Sequence, residues 1–206
     1  MNEILTIISI LFLSMVIHEY AHAWTAYKLG DSTAKLAGRM TLNPIKHIDL
    51  FGTIILPVVL AILHFFGSPF FPIALAKPVP VNFRRLHNPK RDMMLVGMAG
   101  PAINVVLAIL LGLFLKLGFS STVTDIFGIA IFINLILAVF NMVPIPPLDG
   151  SRLLMGLLPT TIGYQYGRLE RYGILIVFAL LPLGLFHKLV LPVVVICGRF
   201  LGVQFG

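Results

Sequence analysis

Three residues near the amino terminus stand at a spacing that can do metal chemistry. His18, Glu19 and His22 form a His-Glu-x-x-His pattern inside a long apolar stretch. On a helix, residues four apart share one face about a turn from each other. Two imidazoles so placed can hold one Zn²⁺, and the glutamate between them can act as general base toward water that the metal activates. The competing reading is a polar patch in which His and Glu pair between helices. Ionisable groups at membrane depth are costly and functional by default, which favours the metal.

Two imidazoles leave such a site incomplete, because catalytic zinc has three protein ligands and an open position for water. His47, His64, His87 and His187 are isolated and read as loop or interfacial residues, while Glu170 and Asp125 read as solvated charges or caps. Asp149 differs. It follows Asn141-Met142-Val143-Pro144-Ile145-Pro146-Pro147-Leu148 and precedes Gly150. Prolines at 144, 146 and 147 forbid a regular helix there. Asp149 could simply cap a helix over Ser151 to Leu158. That role leaves the rigid apolar approach unexplained, so Asp149 is expected as the third ligand.

The elements that must position these groups are membrane helices. The chain has 206 residues, 58% hydrophobic and only 11% charged, with a mean hydropathy of +0.99. Soluble domains carry about 25% charged residues. The composition excludes a disordered chain, a disulfide scaffold and an ordinary soluble enzyme. What remains is an all-α polytopic membrane protein, read as one domain over residues 1–206. The single cysteine, Cys197, excludes an internal disulfide and a Cys-based zinc site; it is expected as a buried, inert thiol. The net charge of +7 comes from basic residues in the gaps between apolar runs, where they anchor topology and meet lipid headgroups. No basic stripe with interleaved aromatics suggests nucleic acid.

Apolar runs begin at Ile4, Phe51, Met93, Ile126, Tyr172 and Leu189. They predict a bundle of about five to six transmembrane helices, with a re-entrant or extended segment near the site. The first run lacks the basic start and cleavage site of a signal peptide. Basic residues cluster in the gaps after the first and second runs and in the stretch 151–171. All three stretches face the cytoplasm only if the second run enters and returns, turning near Gly67-Ser68-Pro69. Depth argues the same way. His18 lies roughly 21 Å along a helix from Ile4, near its cytoplasmic end. Asp149 meets it only if the fourth run also ends on that side.

Three motifs in order resemble the site-2 protease family of intramembrane zinc metalloproteases. They are His18-Glu19-x-x-His22, Gly100-Pro101-x-x-Asn104 and Asn141-x-x-Pro144-x-Pro146-x-Leu148-Asp149-Gly150. The stretches Gly38 to Pro44 and Ala76 to Asn82 resemble its compact prokaryotic branch, without PDZ or CBS domains. The long interval between His22 and Gly100 departs from the pattern and leaves the path of 51–92 open.

The resemblance implies one Zn²⁺ held by His18, His22 and Asp149, with Glu19 as base and proton shuttle. It implies hydrolysis of peptide bonds in single-span membrane proteins within the lipid bilayer. The expected setting is a prokaryotic cell membrane, with the active site nearer the cytoplasmic side. A neutral donor should help hold the developing oxyanion, and Asn141 and Asn104 are the candidates. Gly100, Asn104, Ala108 and Gly112 make one close-packing stripe, and Ala130, Asn134, Ala138 and Asn141 a second; Asn134 reads as structural glue. The segment Lys77 to Asn82, with prolines at 78 and 80, cannot be helical and is a plain connector or an edge that flanks unwound substrate. The rivals are a membrane metal-ion transporter, a metal-binding membrane protein without protease activity, and a metalloprotease that trims prenylated tails.

Overall fold

The structure is a computed structural model that describes residues 2–55, 58–59, 62, 65–66 and 77–205. The expected turn of the second run at Gly67-Ser68-Pro69 lies outside the described residues.

Seven α-helices of at least eight residues organise what is described. They are α1 (Asn2–Lys28), α2 (Pro89–Leu115), α3 (Ser121–Asn141), α4 (Gly150–Leu157), α5 (Thr160–Gly167), α6 (Gly173–Leu180) and α7 (Leu191–Phe200). No strand occurs among the described residues. The all-helical membrane architecture is the one expected from composition. By length and composition α1, α2 and α3 can each cross a membrane. Thr160–Leu180 and Leu185–Phe200 form a helical pair bent by 83° at a short break, which counts as one broken span or a re-entrant loop. Gly184 supplies the left-handed backbone in that break, at φ +95°.

Local sequence explains where the long helices start and stop. Pro89 opens α2, where its missing N–H is no loss, and the Asp92 carboxylate reaches back to the Asn88 amide at 2.8 Å. α3 ends at Asn141, immediately before the proline-rich loop, and α4 starts only at Gly150.

α2 is the central element, packed against α1, α3 and α4, while α3 also meets α1 and α7. The small-residue stripes are the reason. Gly100, Asn104, Ala108 and Gly112 are buried on α2, as are Ala130, Asn134 and Ala138 on α3. Lipid tails are as apolar as leucine, so close backbone approach and hydrogen bonds, rather than apolar burial, must hold such helices together. Val106, Ile109, Leu110 and Leu113 of α2 accordingly face outward. Ala108, Ile131, Leu135, Val143, Val190 and Val194 form the main apolar core, with Cys197 half-buried beside it as a free thiol.

Candidate metal centre

Helix α1 presents His18 and His22 on one face, as their spacing requires, and both are buried. The proline-rich loop carries Asp149 to the same point. Asp149 Oδ2 lies 3.1 Å from His18 Nε2 and 3.2 Å from His22 Nε2, and the two Nε2 atoms are 3.0 Å apart. The groups are 131 and 127 residues apart in the chain, so only the packing of α1, α2 and α4 brings them together. Asp149 stands at the N-cap of α4, yet its side chain makes no capping hydrogen bond. The carboxylate is turned to the imidazoles instead.

The outer nitrogens of both rings are committed. His22 Nδ1 lies 2.6 Å from the Val96 carbonyl oxygen, and His18 Nδ1 lies 2.5 Å from Asn104 Oδ1. A carbonyl oxygen only accepts, so each Nδ1 carries a hydrogen and each Nε2 turns a lone pair inward. Two lone pairs and a carboxylate then face one another in a buried space and require a cation between them.

Room for that cation is visible at Gly100. A Cβ there would lie 2.4 Å from both Nε2 atoms, so only glycine leaves this space open. The donor atoms of His18, His22 and Asp149 all fall within 4.8 Å of one another. Two imidazole nitrogens and one carboxylate oxygen suit zinc, with the outer ring nitrogens hydrogen-bonded as metal-binding histidines require. This donor set therefore fits a metal ion. Gly150 serves the same geometry from the loop side: a Cβ on it would come within 2.2 Å of the Met142 carbonyl oxygen.

Glu19 stands between the two histidines in sequence on α1, and its Oε2 accepts the Val79 amide at 2.8 Å. Val79 belongs to the segment 77–82, which is extended rather than helical, as its prolines require. The segment is held at four backbone groups. Lys77 N–H donates to the His47 carbonyl at 3.0 Å, and the Lys77 carbonyl accepts from Arg39 at 2.7 Å. Val79 donates to Glu19, and Asn82 N–H donates to the buried Asp31 carboxylate at 2.6 Å. Val79 itself packs against Ala23 and Ala34.

The two asparagines named from sequence occupy different settings. Asn104 is fully buried. It joins His18 through Oδ1 and donates from Nδ2 to Asn134 Oδ1 at 2.8 Å. Asn141 is half-buried at the end of α3 and donates to the Leu137 carbonyl at 2.9 Å. The remaining described histidines stay outside the cluster; His47 is buried and bonds to the Thr41 carbonyl at 2.8 Å. Glu170, expected as a solvated charge or cap, is exposed and also forms a two-pronged pair with Arg152. Arg152 approaches close enough to offer both guanidinium nitrogens to the carboxylate. Beside the centre, Met98, Pro101, Val105, Ala138, Met142 and Pro144 help line an apolar cavity of about 520 Å³.

Comparison with known proteins places the chain in a family. The sequence model of Peptidase family M50 matches residues 6–120 and 118–184. "Putative zinc metalloprotease YwhC" of Bacillus subtilis is 40% identical over 187 residues, covering 84% of this chain and 80% of its own length. "Putative zinc metalloprotease Rip2" of Mycolicibacterium smegmatis is 34% identical over 173 residues, covering 82% of this chain and 63% of its own. "Zinc metalloprotease MJ0392" of Methanocaldococcus jannaschii is 25% identical over 158 residues, 75% of this chain and 35% of its own. No solved structure matches. With the family matched along most of its length and apolar helices around a histidine–aspartate cluster, the chain belongs to peptidase family M50, the site-2 type of membrane zinc metallopeptidase.

Proposed function

We propose that this protein hydrolyses peptide bonds of single-span membrane proteins within or beside the bilayer, using one zinc ion held by His18, His22 and Asp149. The observation that carries the reading is the convergence of three donor atoms whose histidine tautomers are fixed by Val96 and Asn104. When bound, the zinc supplies Lewis acidity, which acidifies water and polarises a carbonyl.

The chain's own residues do the rest. Glu19 takes a proton from the attacking water and returns it to the leaving amine. The Val79 amide, donating to Glu19 Oε2 at 2.8 Å, favours the ionised carboxylate and fixes its orientation. Asn141 donates to the developing oxyanion; Asn104 has both polar atoms engaged by His18 and Asn134. The apolar cavity next to the proline-rich loop suits an apolar segment of substrate. A helix hides its scissile bonds, so substrate must unwind locally, and the extended segment 77–82 offers an edge beside which it can lie. The basic gaps around the site support a position nearer the cytoplasmic side, and the proposed setting is a prokaryotic cell membrane.

The test is cleavage of candidate single-span substrates by the purified protein in proteoliposomes, comparing wild type with Glu19→Gln and Asp149→Ala. Both variants should lose cleavage. Zinc flux that persists in Glu19→Gln, with no cleavage by wild type, would favour the transporter reading instead.

A further inference from the structure

Beyond the three donors, a buried polar chain runs from α3 through α2 to α1. Asn134 Nδ2 lies 2.9 Å from the Ala130 carbonyl oxygen and 3.0 Å from Ser14 Oγ. Asn134 Oδ1 faces Asn104 Nδ2 at 2.8 Å, and Asn104 Oδ1 faces His18 Nδ1 at 2.5 Å. Asn104, Asn134 and Ser14 are all buried. A backbone carbonyl can only accept, so the atom of Asn134 beside Ala130 must be the NH₂ group. That choice leaves Asn134 Oδ1 for Asn104, which must then present its own NH₂. Asn104 Oδ1 is left to accept from His18, and His18 must carry its hydrogen on Nδ1.

We infer that Asn134 and Asn104 are positioning residues: a relay that starts at the Ala130 carbonyl fixes the amide orientation of Asn104 and thereby turns the His18 Nε2 lone pair toward the metal. The inference rests on the proposed role of His18 as a zinc ligand. It gives Asn134 a part in metal binding although it touches none of the three donors. Were the Asn104 amide to flip, its NH₂ would face Nδ1 and the hydrogen would move to Nε2, where the metal must bind.

The relay makes a prediction that packing does not. A carboxylate at position 104 has no donor end, so it accepts from His18 whichever way it turns and needs no orienting partner. Zinc affinity of the purified full chain, measured by chelator competition in detergent, therefore separates the cases. Asn134→Leu should weaken zinc binding about tenfold, toward the lower end of what loss of an outer hydrogen bond does to a metal site. Asn104→Asp combined with Asn134→Leu, which removes the Oδ1 that would oppose the new carboxylate, should bind within a few-fold of wild type and more tightly than Asn134→Leu alone. Asn134→Ala gives the same comparison if leucine does not fold.

Wild-type affinity in Asn134→Leu, or a double variant as weak as Asn134→Leu, overturns the relay. His18→Ala separates this failure from failure of the metal reading. It should abolish tight binding, and unchanged affinity there would remove His18 from the zinc site altogether.

Discussion

The carbonyl oxygen of Val96 lies 2.6 Å from His22 Nδ1, so a helix that contributes none of the three donors decides which nitrogen of His22 faces His18 and Asp149. α2 does the same for His18 through Asn104, and it leaves the space between the rings open at Gly100. The central helix therefore acts as a template against which α1 and the Asp149 loop are set.

Gly100→Ala follows from that template. Its methyl group would fall 2.4 Å from both Nε2 atoms, inside any van der Waals limit, and would sit where the cation belongs. Zinc content of the purified variant should fall by more than about tenfold, as for loss of a supporting metal contact, while helicity is retained. Wild-type zinc content would contradict the placement of the ion.

Val79→Asp tests the strap over Glu19. The side chain at 79 packs against Ala23 and Ala34, and a carboxylate there would be buried near another carboxylate without a partner. Cleavage should drop by about 10²-fold, the order expected when a general base is misplaced, with zinc content unchanged. Normal turnover would remove the segment 77–82 from the mechanism.

Much of the centre was legible because its signals are local. The i, i+4 spacing of His18 and His22 specifies a shared helical face whatever the rest of the chain does. Prolines at 144, 146 and 147 mark an irregular loop and so single out Asp149 from the other carboxylates. The stripe from Gly100 to Gly112 is likewise a matter of spacing. What could not be read depends on contacts distant in sequence. Asn134 is one polar residue in a small-residue stripe, and only its bond to Asn104, 30 residues away, reveals a direction in the hydrogen-bond chain. The Val79–Glu19 bond spans 60 residues and leaves no pattern in either segment. The pairing of Arg152 with Glu170 was hidden because it depends on how α4 packs. The sharp bend near the end of the chain rests on a short break around Gly184, which falls inside the apolar run that begins at Tyr172.

Asn141→Leu addresses the oxyanion. Asn141 ends α3 and bonds to the Leu137 carbonyl at 2.9 Å. Removing its amide should lower kcat about 10²–10³-fold, as loss of one oxyanion donor does, with KM nearly unchanged. Zinc affinity should match wild type, since Asn141 bonds to none of the three donors. Unchanged kcat would assign the oxyanion to another donor.

The most direct test of the central claim is X-ray absorption at the zinc edge, paired with metal stoichiometry, on the purified protein and on Asp149→Ala. One zinc per chain is expected, surrounded by two imidazole nitrogens and light oxygen donors, with affinity that falls sharply when Asp149 is removed. Sulfur scattering from Cys197, or zinc bound equally well by Asp149→Ala, would contradict it.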